Sequence, residues 1–199
     1  MQTNNNGMFR NEDPTQRNRM FILARQAVSN SEYSEARRYY DLLLAEEPNN
    51  WEAYYFDTLC WALENSDPEE EENCAVLLNR AIPEAIQLIV QYEKPQNQID
   101  AFDTILHTIN TYIRYKTASI ENYYQENRRY LGLLPGWLFR KTEAYGSIYE
   151  TYRNSVPFRF PNADNILSLV NDYYQRYADS HMRIMPSRQR RYIIRYIRY

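Results

Sequence analysis

An all-α fold of antiparallel helical hairpins is predicted by three features of this sequence. Apolar residues recur at helical spacing over long stretches, which gathers them on one side of each helix. Only 4 glycines occur in 199 residues, too few for the turns of an all-β protein or for several glycine-rich phosphate loops. Clusters of Pro, Asn, Ser and Gly fall between the periodic stretches, and no stretch reads as a credible strand.

The elements follow in order. Asp13-Pro14 places a capping residue before a proline at the first helical position, and Met20, Leu23, Ala24, Ala27 and Val28 then keep helical spacing. "SNSEY" breaks this helix; Ser31 or Ser34 is expected to cap the next, whose apolar side is Ala36, Tyr39, Tyr40, Leu43 and Leu44 and which ends at Pro48. "PNN" is a turn, and Trp51 to Asn65 reads as a third helix. "SDPEEEEN" opens a fourth that runs to about Tyr92. Its carboxylates, Glu69 to Glu72, complement the partial positive charge of a helix N-terminus and are read as that, not as a cation site. After "KPQNQ" a long pattern carries Ile99, Phe102, Ile105, Leu106, Ile109, Tyr112 and Ile113 on one side and continues toward Tyr130, with a kink expected near "KTAS". "LGLLPGW" breaks it. A sixth helix is expected from about Trp137 to Asn154, "SVPFRFPNAD" is an irregular connector, and a seventh spans about Ala163 to Met182. "MPS" then separates a closing eighth helix.

Composition narrows the class. A chain that is 44% hydrophobic and 25% charged is globular, and at this length it buries a core without staples. Tyr is the anomaly at 20 residues; its apolar ring and polar tip suit core margins and contact surfaces. The opening "MQTNNNGMFRNEDPTQ" has no apolar signal region, and the longest apolar stretch, "LGLLPGWLF", is far short of the roughly 20 residues a membrane span needs. Neither a standard secretion signal nor a transmembrane anchor is expected. With only Cys60 and Cys74 present, reduced thiols in a cytoplasmic protein are the expectation.

Charge is unevenly distributed. Residues 32 to 103 carry 17 acids against four bases, whereas residues 104 to 199 carry 15 bases against seven acids. The two halves either attract one another across an internal interface or offer two surfaces of opposite sign.

No reaction is signalled. His107 and His181 have no companion at a ligand-like spacing, so no metal is expected. A phosphate loop, an HExxH helix and a Gly-x-Ser-x-Gly elbow are all missing, and Cys60, within "DTLCWAL", sits on a hydrophobic helix where a thiol behaves as a small apolar group. The expectation is a protein without catalytic activity or cofactor. "YYQENRRY" and "DYYQRYADS" set Tyr beside Arg as a base-stacking surface would, but their spacing equally suits rings that seal helix interfaces.

The segment "FILARQAVSNSEYSEARRYYDLLLAEEPNNWEAYY" joins two helices by a short turn and exits through Pro-Asn-Asn into a third. It resembles a tetratricopeptide repeat. Leu23 and small Ala24 match, as do Tyr33, Ser34, Glu35 and Ala36 entering the second helix, then Tyr40, Leu43 and Pro48. "WEAYYFDTLCWALEN" is similar to the first helix of a second, degenerate repeat, with Asp57 standing where Leu is usual. The resemblance covers residues 17 to about 92. It implies stacked helical pairs, since single repeats cannot bury their apolar faces alone. The domain reading that follows is a flexible tail over residues 1–12, repeats over 13–95, and a helical region over 96–199 packed on the repeats.

The resemblance also implies a binding scaffold whose first helices line a partner groove. Carried over by position, that groove is Phe21, Arg25 and Val28 of the first helix and Tyr55, Leu59 and Ala62 of the third, with Arg25 guiding a protein or peptide partner. The Lys and Asn pattern of relatives that clamp C-terminal carboxylates is missing. The closing "SRQRRYIIRYIRY" sorts, at about 100° per residue, into an Ile193, Ile194 and Ile197 seam, an arc of Arg188, Arg191, Arg195 and Arg198, and a stripe with Tyr192 and Tyr196. Its Ile seam is expected to dock on preceding helices. The Arg/Tyr face leaves two alternatives, nucleic-acid binding and peripheral attachment to an anionic membrane.

Overall fold

The computed structural model describes residues 14–65, 71–129, 135–157, 160 and 163–184. Among them are seven α-helices and no strand: α1 (Pro14–Ser29), α2 (Tyr33–Glu46), α3 (Trp51–Glu64), α4 (Glu71–Tyr92), α5 (Pro95–Asn127), α6 (Pro135–Ser155) and α7 (Ala163–Ile184). Each helix packs against the next, and α4 also packs on α6 and α5 on α7. The result is an all-α, repeat-like stack of antiparallel hairpins, with α4 to α7 forming the bundle at its C-terminal end. The expected N-terminal tail and the closing helix, with Arg188, Arg191, Tyr192, Arg195, Tyr196 and Arg198, lie outside the described residues.

Local chemistry sets the helix ends. After α1, Ser31 adopts a left-handed φ of 62°. Its N–H donates to the Val28 carbonyl at 3.0 Å and that of Glu32 to the Ala27 carbonyl at 2.8 Å, the paired bonds of a Schellman closure. Ser31 therefore ends α1 rather than capping α2. The other candidate cap, Ser34, donates its hydroxyl to the Glu64 carboxylate, and the N-cap of α2 is Glu32 without a side-chain bond. Asn50 caps α3 by accepting from the Ala53 N–H at 3.0 Å. At the other end of α3, the Asn65 carbonyl accepts from Lys116 Nζ at 2.7 Å. Lys116 is buried, so a cation from α5 meets the negative end of the α3 dipole away from water.

Two long helices differ from the sequence reading. α5 runs unbroken through "KTAS" for 33 residues, roughly 50 Å at about 1.5 Å per residue. Its expected apolar face is buried from Phe102 through Ile113, with Lys116, Ile120 and Tyr124 extending it beyond the expected kink. α4 continues through Pro83, which faces solvent.

The buried residues form two cores that meet on α3. The smaller joins Met20, Ala24 and Ala27 of α1 to Ala36, Tyr40 and Leu43 of α2 and to Ala53 and Cys60 of α3. The larger takes Tyr55, Leu59 and Ala62 from α3 and runs through α4, α5 and α6 to Ala163, Ile166 and Val170 of α7. Asp57, at the position where the repeat pattern has Leu, is held by Arg37 of α2, whose Nε lies 3.1 Å from its Oδ1. Burial raises the Asp57 pKa, with Arg37 opposing that shift. Cys60 and Cys74 are buried and form no disulfide.

Candidate binding groove

An open groove of about 470 Å³ lies between the first helices of successive hairpins, α1, α3 and α5. Arg25 and Val28 of α1 form one wall, Trp51, Glu52 and Phe56 of α3 a second, and Asp100, Ala101 and Thr104 of α5 the third. Tyr40 of α2 and Glu93, between α4 and α5, complete the lining.

The groove residues are tied to one another. Arg25 donates through Nε and Nη2 to the two carboxylate oxygens of Glu52, both at 2.6 Å, a bidentate pair that staples α1 to α3. Glu93 accepts from Trp51 Nε1 at 3.2 Å, Asn97 Nδ2 at 3.0 Å and the Lys94 backbone N–H at 3.1 Å. Burial works against ionisation of Glu93, but these bonds outweigh it and its pKa falls below the usual carboxylate value. Tyr40 stacks on Phe56 with ring centroids 5.8 Å apart. Its hydroxyl is buried without a hydrogen-bond partner, and burial raises its pKa.

Half of the groove expected from the sequence is elsewhere. Arg25 and Val28 line it as expected, and Phe21 stands beside Arg25, whose guanidinium carbon lies 5.6 Å from the Phe21 ring centroid. Tyr55, Leu59 and Ala62, by contrast, are buried in the larger core. The Tyr55 hydroxyl meets Thr108 Oγ1 of α5 at 2.8 Å, so α5 covers the face that the repeat pattern exposes. The face of α3 that reaches the groove instead carries Trp51, Glu52 and Phe56. Nothing in "WEAYYFDTLCWALE" marks that face, because the helix is apolar on nearly every side and only its neighbours decide which side stays open. Arg25 is also no free guide, since Glu52 already holds the Nε/Nη2 edge of its guanidinium.

A second cavity of about 550 Å³ adjoins the first and shares Trp51 and Glu93 with it; Arg17, Glu46 and Glu47 extend its lining. Arg17 is bonded to Glu47. A third, of about 530 Å³, lies among α5, α6 and α7 and is lined in part by Arg114, Tyr149, Tyr173, Arg176, Tyr177 and His181.

The Tyr-Arg motifs resolve mainly into packing. Tyr177 donates to the Thr142 carbonyl at 2.5 Å and lies parallel to His181 at 5.5 Å between centroids. Tyr174 donates to Glu150 at 3.3 Å, and Tyr173 meets the His107 ring edge-on at 6.0 Å. Tyr123 and Tyr124 pack on Trp137 at 5.8 and 6.5 Å, while Arg128 and Arg129 are exposed.

Chemistry-bearing groups are similarly placed in structural roles. The His107 Nδ1 lies 2.9 Å from the Asp103 carbonyl on the same helix. Burial pushes the Cys60 thiol up to about 12, which leaves almost no thiolate at neutral pH. Among the described residues no three His, Cys, Asp or Glu side chains converge as metal ligands, and no helix is long and apolar enough to cross a membrane.

Fold and groove together define a class, an all-α helical stack with an aromatic and acidic groove between the first helices of its hairpins. Comparison with protein-family models, curated proteins and solved structures finds no match for the chain.

Proposed function

We propose that this protein is a non-catalytic interaction scaffold of the tetratricopeptide type, which holds a peptide or partner helix in the groove between α1, α3 and α5. The observation that carries the reading is the position of that groove. It runs along the first helices of successive hairpins, α1, α3 and α5, and two of the six residues assigned to a partner surface from the sequence, Arg25 and Val28, line it. Its lining mixes aromatic, aliphatic and charged groups, as peptide grooves do. The buried thiols Cys60 and Cys74, not joined in a disulfide, support a reducing, cytoplasmic setting.

Thr104 is exposed and lines the groove, so Thr104→Trp fills it without disturbing either core. Chemical cross-linking in cells to the wild-type protein and to this variant is the test. Partners that disappear with Thr104→Trp, while the melting temperature holds, support the reading. An identical set of partners with both proteins removes the groove from the function.

A further inference from the structure

The groove is not electrically neutral. Three carboxylates line it, Glu52, Glu93 and Asp100, against one cation, Arg25. Arg25 and Glu52 satisfy each other, which leaves Glu93 and Asp100 uncompensated by any cation in the lining. Glu93 is held in place by three uncharged donors, which together with the charge of the neighbouring Lys94 keep it ionised, so it is a preorganised carboxylate facing an open cavity. Asp100 is exposed and forms no ion pair among the described residues.

A second observation points to an occupant. Tyr40 is fully buried at the lining of this groove, yet its hydroxyl has no partner, and a buried polar group without one costs about 1–3 kcal/mol. Both Glu52 and Arg25 act electrostatically on it, so it stands close to the charged pair. An orphaned hydroxyl in the wall of a groove that also carries Glu93 and Asp100 is completed by a ligand that brings hydrogen-bonding groups and positive charge together.

We infer that the occupant is a lysine- or arginine-bearing peptide segment whose cationic group sits among Glu93, Asp100 and the Trp51 ring. This deepens the scaffold reading and rests on it. The aliphatic stem of such a side chain suits the apolar surface of Val28 and Phe56, and its charged head suits the indole face and the carboxylates. A free metal ion would leave the aromatic walls unused. Acidic peptides and phosphate backbones meet like charge on two sides of the groove.

A phage-displayed library of random peptides, selected on the full-length protein, tests this. Enrichment of Lys or Arg is expected, with binding that weakens as salt is raised. An enriched peptide made with a fluorescent label should lose about tenfold in affinity to Glu93→Gln and to Asp100→Asn. Asp100 is exposed, so its variant carries the test even if Glu93→Gln folds poorly. Tyr40→Phe should weaken the same peptide while leaving the melting temperature unchanged or higher. Arg114→Gln, in the cavity among α5 to α7, should change nothing.

Selection of neutral or acidic peptides that Thr104→Trp abolishes would overturn the cationic assignment and keep the scaffold. Basic peptides indifferent to both carboxylate variants would overturn it as general attraction to the acidic half of the chain. A library that yields no binder would count against scaffold and assignment together.

Discussion

Ser31 shows how a single residue can carry a turn at a cost. Its left-handed φ closes α1, a position where glycine avoids the Cβ clash that serine suffers. Replacement by glycine relieves that strain and loses some of the gain to a more flexible unfolded chain. Ser31→Gly should therefore raise stability by roughly 0.5–1 kcal/mol, read as a higher urea midpoint at unchanged slope. His181 makes a pH-dependent contribution. Burial lowers its pKa from the ordinary 6.5. Its ring stacks on Phe139 at 4.2 Å and its Nδ1 meets Thr142 Oγ1 at 2.9 Å. Because the folded pKa lies below the unfolded one, this contribution is complete above the unfolded value and is lost as pH falls from 6.5 through the folded pKa. Melting temperatures recorded from about pH 7.5 down to pH 5.5 should decline in the wild type, and the decline should be shallower in His181→Phe.

Among the elements, the docking of α7 on α6 depends on a missing side chain. A Cβ at Gly146 would lie 2.9 Å from Cε1 of Tyr177, and that ring is held by the Thr142 carbonyl and packed beside Tyr149, Tyr174 and His181. It cannot swing aside as the tip of a flexible chain would. Gly146→Ala should destabilise the protein by roughly 1–3 kcal/mol despite the better helix propensity of alanine. An unchanged thermal midpoint would show that α7 rides on α6 more loosely than this contact implies. The helices themselves were legible because their periods and breaks are local. Trp51 and Ala163 start α3 and α7 as the sequence indicates. Capping was less legible, since Ser31 and Ser34 both have cap chemistry and both are used for something else.

Across the whole molecule, α3 ties two cores together. Ala53 and Cys60 on one side belong to the smaller core, and Tyr55, Leu59 and Ala62 on the other to the larger. A helix buried on both sides couples the stability of what it separates. Cys60 sits in the smaller core and Cys74 in the larger, each without exposure, so the two thiols report on the two cores independently. Both should react with a thiol reagent on the order of a thousandfold more slowly in the native protein than in the unfolded chain, and with the same protection. Faster labelling of Cys60 would show that the α1–α2 hairpin opens alone. The groove belongs to this scale as well, because no single helix contains it. Val28 and Arg25 could be assigned from a repeat pattern within one hairpin. Glu93, Asp100 and Trp51 meet only because α5 returns beside α1 and α3.

By itself the sequence determined the all-α class, the order and approximate ends of the seven described helices, and the apolar stripe of α5. These follow from spacing and punctuation, which act over a few residues. Tertiary structure alone decided which side of α3 faces outward. That helix is apolar nearly all round, so its own residues do not distinguish an inner face from an outer one. Once α5 covers Tyr55, burial of the larger core fixes the rotation, and Trp51, Glu52 and Phe56 are left lining the groove.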